Sequence, residues 1–126
     1  MDDMIQGIGQ IAIPVKDLNR AISFYKNELE FPFLFQAGSI AFFDCNGTRL
    51  FLSLPEKEEF SRFSSIIYFR VNDIFETYEK CKTKNIEFID QPHMIAKVND
   101  TENWMCFFYD SEGNMLAFMS EKVVTT

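Results

Sequence analysis

Apolar and polar positions along this chain alternate in short runs of period two, interrupted twice by a helical period. Ile11, Ile13 and Val15 alternate with Gln10, Ala12 and Pro14, the pattern of a half-buried strand over 8–15. Pro14 has no N–H for a ladder, which places the end of this strand at an edge or a bend. Asp17 supplies an N-cap oxygen, and Leu18, Ala21, Ile22, Tyr25 and Leu29 recur at helical spacing, predicting an amphipathic helix over 18–29. Strands are predicted over 31–36, 40–44 and 48–54. Gly38-Ser39 and Asp44-Cys45-Asn46-Gly47 are the turns between them, the second with Asn-Gly where positive φ is tolerated.

The polar, charged, non-periodic stretch 55–65 reads as a linker, and after it the same order of elements returns. Ile67, Phe69 and Val71 alternate with Ile66, Tyr68 and Arg70 in a strand over 65–72. Asp73 then caps a helix with Ile74, Tyr78 and Cys81 on one face, and Asn85 is its expected stop. Further strands are predicted over 86–89, 104–109 and 115–120. Gln10 lies seven residues before Asp17, and Ile66 seven before Asp73. The ten residues from Phe43 align without gaps on the ten from Tyr109. The offset grows from 56 (Gln10 to Ile66) to 66 (Gly47 to Gly113), so the second copy carries ten extra residues, which fall in 91–103 and are expected as a loop. The unit is βαβββ, twice, and the fold class is α+β.

Composition narrows the function classes. A chain of 126 residues, 47% hydrophobic, suits a single domain, here expected over 1–126 with module 1 at 7–54, the linker at 55–65 and module 2 at 66–120. No apolar run approaches the roughly 20 residues of a membrane helix, and Met1-Asp2-Asp3 has the wrong charge for a signal-peptide start. A cytoplasmic protein with no membrane partner is expected. With 19 acidic against 12 basic residues, a formal charge of −7 and no basic cluster, nucleic acid is not an expected partner. Three cysteines without paired short spacing do not make a disulfide framework, and Cys45, Cys81 and Cys106 read as small buried hydrophobes. The 15 phenylalanines pose the remaining question, whether all of that aromatic surface is core or part of it lines a binding site.

The tandem βαβββ pair, with V-x-D-L before the first helix, A-I-S-F-Y inside it and a D-x-x-G-N turn in the last hairpin, resembles the vicinal oxygen chelate superfamily of glyoxalases, bleomycin-resistance proteins and extradiol dioxygenases. The resemblance covers residues 7–120 and departs from the common pattern at Glu30, where glycine usually follows the helix-ending leucine. It implies a curved, cup-like mixed sheet with helices outside, a ligand cavity closed by the two modules, and a homodimer. In metal-dependent members the ligands come from the first and last strand of each module. The matching positions here are Gln10, Ile66, Phe51 and Ala117, of which three have no lone pair and the fourth is an amide. No metal and no other cofactor is expected.

If Gln10 and its counterparts point inward, alternation gives the rest of the lining: Ile8, Ala12, Arg49, Phe51 and Ser53 from module 1, and Ile66, Tyr68, Arg70, Met115, Ala117 and Met119 from module 2. The opposite rows, Ile11, Ile13, Leu50, Leu52, Ile67, Phe69, Leu116 and Phe118, are expected under the helices. His93, the only histidine, falls in the 91–103 insertion as a rim residue, and Trp104 is a candidate wall of the cavity mouth. The ligand-binding candidates are therefore Gln10, Arg49, Phe51, Tyr68, Arg70, His93, Trp104 and Met115, with no catalytic or metal-ligating residue named. The expected function is binding of a small organic molecule, an apolar body with a polar or anionic end held by Gln10, Tyr68 and the arginines. The alternative is an enzyme of the same fold, a metal-independent lyase or isomerase using Tyr68 and His93, with metal-dependent glyoxalase or dioxygenase chemistry after it.

Overall fold

The computed structural model describes Met4, residues 8–54 and residues 65–124. Apart from Ser65, the linker expected at 55–65 lies outside the described residues. The chain divides into two compact units, residues 1–63 and 64–126.

In the first unit, strands β1 (Gln10–Pro14), β2 (Phe33–Ala37), β3 (Ile40–Cys45) and β4 (Thr48–Ser53) form one sheet in the order β1-β4-β3-β2. β1 runs parallel to β4, and the other pairs are antiparallel. Asn46 and Gly47, at φ 47 and 98, make the two-residue turn between β3 and β4, so Cys45 faces Thr48 and Phe42 faces Phe51. β2 carries a bulge between Phe33 and Phe35. Residues two apart would otherwise share a face; the bulge sends Phe33 to Phe43 and Phe35 to Phe42, on opposite faces.

Helix α1 (Leu18–Ser23) starts at Asp17, whose Oδ1 accepts the Arg20 N–H at 3.1 Å. The helix predicted over 18–29 does not remain an α-helix. From Phe24 to Glu28 it widens into a π turn, with the Leu29 N–H donating to the Phe24 carbonyl at 3.0 Å. Phe24 and Tyr25 are both buried, and their rings meet edge to face at 5.6 Å. Glu30 follows at φ 60, the left-handed exit that favours glycine. Beneath the helix lie Ile13, Ala41, Phe43, Leu50 and Leu52, all buried and all on one face of the sheet.

The second unit contains β5 (Ile67–Arg70), α2 (Ile74–Lys82), β6 (Glu87–Phe88), β7 (His93–Val98), β8 (Thr101–Tyr109) and β9 (Met115–Val123). The sheet order is β5-β9-β8-β6, and β7 also pairs with β8. Asp73 caps α2, its Oδ1 accepting the N–H groups of Phe75 and Glu76 at 3.0 and 3.3 Å. The helix stops at Lys82, before Asn85, because the Thr83 hydroxyl and N–H both turn back to the Lys80 carbonyl, at 2.7 and 3.3 Å. Ile74 and Cys81 are buried beneath it, and Tyr78 meets Phe88 edge to face at 4.7 Å. Phe69, Cys106, Phe108, Leu116 and Phe118 complete this core.

The insertion expected as a loop is a β-hairpin. β7 and β8 turn at Asn99, with φ 56, and β8 begins at Thr101, ahead of the predicted Trp104. A bulge between Met94 and Ala96 breaks the period-two pattern that would have announced β7. In the β8–β9 turn, Asp110 Oδ1 accepts the N–H groups of Glu112 and Asn114 at 2.8 Å each, and Gly113 sits at φ 85. The rows expected under the helices are there, buried except for Ile11 and Ile67, which are half-buried. The architecture is α+β, each unit a mixed sheet with its helix against one face. No helix among the described residues is long and apolar enough to cross a membrane.

Candidate functional site

Each sheet has a second face that its own helix does not cover, and most of the sequence-derived candidates stand on these helix-free faces. In the first unit the register lays out two rows. Gln10, Arg49 and Asp44 stand side by side across β1, β4 and β3, and Ala12, Phe51, Phe42 and Phe35 stand side by side across β1, β4, β3 and β2. The phenylalanines form a continuous aromatic ladder. Phe35 and Phe42 stack with centroids 4.6 Å apart, and Phe42 and Phe51 follow at 5.8 Å. The Arg49 guanidinium lies over the Phe42 ring, 5.3 Å from its centroid. Among the described residues Arg49 makes no ion pair, and its guanidinium rests on the ring.

In the second unit, Tyr68, Ala117 and Phe107 form one row across β5, β9 and β8, while Arg70, Met119, Met105 and His93 form the next across β5, β9, β8 and β7. Ala117 is small enough for the rings on either side to meet across it. Tyr68 and Phe107 stand edge to face at 5.9 Å, and Ala117 is 0% exposed although Tyr68 itself is 43% exposed. Met115 opens the adjoining row, opposite Tyr109.

His93 opens β7 instead of lying in a loop, and it is half-buried. Its Nδ1 is 2.9 Å from the Gln91 carbonyl. A carbonyl can only accept, so Nδ1 carries the proton and, in the neutral ring, Nε2 keeps the lone pair. Asp90 stands beside it, with Oδ2 3.6 Å from Nδ1. The other oxygen of Asp90 has a structural task. β6 pairs with β8 at Phe108 and Tyr109 and β7 takes over at Met105, leaving the Phe107 N–H between them, and Asp90 Oδ1 accepts it at 2.8 Å.

Trp104 requires a correction. Alternation along β8 places it with Cys106 and Phe108 on the helix side, where it meets Phe75 of α2 edge to face at 5.0 Å and donates from Nε1 to Glu102 Oε1 at 3.0 Å. It does not share a face with Tyr68, Arg70 or His93.

Phe35, Phe42, Phe107 and Asp90 were not among the sequence candidates. The two-residue Asn46-Gly47 turn carried the signal for Phe42, because it fixes that residue opposite Phe51. No equivalent signal marks Phe35, whose face depends on the bulge, or Asp90, whose partner is a backbone N–H 17 residues away. The cysteines fit poorly with nucleophilic chemistry. Burial, and after it the Asp90 carboxylate, pushes the Cys106 thiol up to about 12, and burial followed by Asp44 raises Cys45. Among the described residues, no three His, Cys, Asp or Glu side chains gather where they could hold a metal ion.

Solved structures share this fold across nearly the whole chain. A protein from Sphaerobacter thermophilus described as a member of the glyoxalase/bleomycin resistance protein/dioxygenase superfamily is 23% identical, with a TM-score of 0.74 over 93% of this chain and 98% of its own. A glyoxalase/bleomycin resistance protein/dioxygenase from Alicyclobacillus acidocaldarius is 22% identical, with a TM-score of 0.71 over 91% of each chain. A lactoylglutathione lyase from Agrobacterium tumefaciens is 18% identical, with a TM-score of 0.73 over 94% and 96%. At these identities the likeness is one of fold. The sequence model of the Glyoxalase/Bleomycin resistance protein/Dioxygenase superfamily matches residues 7–118, and the chain belongs to that superfamily.

Proposed function

We propose that this protein binds a small organic molecule on the helix-free faces of its sheets, without the metal centre of the superfamily's metal-dependent members. The observation that carries this reading is Phe51. It occupies a position the resemblance assigns to a metal ligand, and it belongs to the Phe35–Phe42–Phe51 ladder with Arg49 over its central ring. The donor chemistry of the other positions supports the same reading. Ile66 and Ala117 offer no lone pair, Ala117 lies beneath the Tyr68–Phe107 pair, and the Gln10 amide alone makes no site.

The ladder suits a flat apolar body that stacks in offset fashion, while Arg49, held over Phe42, offers two parallel N–H donors to an anionic end. On the second unit, Met105, Met119 and Phe107 supply adaptable apolar surface, with Tyr68, Arg70 and His93 as the polar groups around it. Protein treated with a chelator and screened by thermal shift against aromatic acids and other small organic compounds tests the reading. A ligand present at 100 times its dissociation constant adds about 2.7 kcal/mol. Stabilisation that survives chelation and disappears in Arg49→Ala and Phe51→Ala supports it; stabilisation that requires a restored metal overturns it.

One observation favours a second reading, metal-independent acid–base chemistry. The Gln91 carbonyl and Asp90 orient His93 so that Nε2 keeps its lone pair, the arrangement of a general base. A ligand that is turned over by the parent protein and only bound by His93→Gln would favour this enzyme over a binding protein.

A further inference from the structure

The row that crosses β7, β8 and β9 in the second unit sets three donors of one chemical kind side by side. His93 faces Met105 across β7 and β8, and Met105 faces Met119 across β8 and β9. One imidazole and two thioethers therefore stand in line on the helix-free face, and all three residues are half-buried. Cβ atoms of directly facing residues lie about 4.5–5.5 Å apart, and an unbranched methionine side chain adapts freely, so the three tips can converge on one ion above Met105. The histidine is oriented as a ligand. Its Nδ1 donates to the Gln91 carbonyl at 2.9 Å with Asp90 Oδ2 3.6 Å away, which leaves the Nε2 lone pair available. Imidazoles that hold a metal characteristically give their other N–H to such a carbonyl or carboxylate.

The donors select the ion. Among the described residues no three His, Cys, Asp or Glu side chains gather, so sulfur has to complete the set. Thioether sulfur is soft and favours Cu(I) over Mg(II), Mn(II) or Ca(II), and imidazole suits copper as well. Arg70 continues the row beyond Met119, and a monovalent ion meets half the repulsion from it that a dication meets. Glu121 stands one step further along the same face of β9 and is exposed, where its carboxylate stays hydrated.

We propose that His93, Met105 and Met119 form a site for the soft monovalent ion Cu(I), with Nε2 and the two Sδ atoms as its ligands. The site uses none of Gln10, Phe51, Ile66 and Ala117, and it is independent of the aromatic ladder in the first unit.

The test uses the full chain as Cys45→Ser, which removes a half-buried thiol that competes for soft ions. Isotope-labelled methionine methyl groups are followed by NMR during titration with Ag(I), a redox-inert stand-in for Cu(I). The expected result is a saturable shift of the Met105 and Met119 methyl signals, complete at one equivalent, with Met94 on the opposite face unmoved and no shift with Zn(II). Cu(I) affinity, measured under reducing conditions in competition with a chromophoric chelator, should fall about tenfold or more in His93→Gln and in the volume-conserving Met105→Leu. Met94→Leu should leave it unchanged. Shifts that spare Met105 and Met119, an equal response to Zn(II), or undiminished Cu(I) affinity in Met105→Leu would overturn the proposal.

Discussion

The rings of Tyr68 and Phe107 meet edge to face at 5.9 Å, although their strands are separated by β9. Strands two apart lie about 9–10 Å from each other, so the contact exists only because the residue between them is Ala117, whose methyl group it covers completely. A larger side chain at 117 must drive the rings apart. Ala117→Glu is therefore expected to destabilise the protein by about 1–3 kcal/mol in chemical denaturation. The same substitution in a Tyr68→Ala background should cost less, because one of the displaced rings is already gone. Equal losses in both backgrounds would mean that the aromatic pair does not close over this position.

Asp90 fills the gap where the edge of β8 passes from β6 to β7. Removing its carboxylate leaves the Phe107 N–H without an acceptor, at an expected cost of about 1–3 kcal/mol for Asp90→Ala. Asp90→Asn retains an oxygen that can accept and should cost less. Amide hydrogen exchange reads the same bond locally: the Phe107 amide should exchange much faster in Asp90→Ala than in the parent, with the Leu50 amide of the first unit unchanged. An unaltered Phe107 amide would contradict this role.

The Cys106 thiol gives the fold a signature at alkaline pH. Its ordinary value is 9.0, and burial first, then the Asp90 carboxylate, moves it up to about 12 in the folded protein. Between those values the unfolded chain has released a proton that the folded chain still holds, so stability falls as pH rises through that window. Urea denaturation measured from pH 8 to 11 in parent and Cys106→Ala should show the steeper decline in the parent. The comparison concerns the slope with pH, because the substitution also removes core volume. In the folded protein at pH 8, Cys106 should resist thiol reagents that label Cys45, which is only half-buried.

Gly113 tests the last turn. At φ 85 it lies in the left-handed region, and a Cβ built there would meet nothing within 4 Å, so the penalty for Gly113→Ala is backbone strain without a clash. About 1–2 kcal/mol of destabilisation is expected. A neutral substitution would show that the turn relaxes to another conformation.

Much of this architecture was legible because it rests on local chemistry. Asp17 and Asp73 cap their helices as the spacing implied, and the alternation that placed Ile13, Leu50, Leu52, Phe69, Leu116 and Phe118 on one side holds. What stayed hidden depends on single extra residues that shift a period. The π turn at Phe24–Glu28 changes the helical period ahead of Leu29, and the bulge between Phe33 and Phe35 decides which phenylalanine joins the ladder. The bulge between Met94 and Ala96 disguised a hairpin as a loop. Trp104, a candidate wall of the cavity mouth, shares the face of Cys106 and Phe108 by alternation, and its indole meets Phe75 of α2. Asp90 had no sequence signal at all, since its partner is a main-chain N–H left over by two strands sharing one edge.

The proposed binding of a small organic molecule rests on the Phe35–Phe42–Phe51 ladder with Arg49 over its central ring. The most direct measurement is NMR chemical-shift mapping of chelator-treated protein, carrying labelled phenylalanine and arginine, during titration with planar aromatic carboxylates. The expected result is saturable perturbation of the Phe42 and Phe51 rings and the Arg49 guanidinium, at an affinity that added zinc, nickel, iron or manganese leaves unchanged. Perturbations confined to other residues, or binding that appears only once a metal is restored, would contradict it.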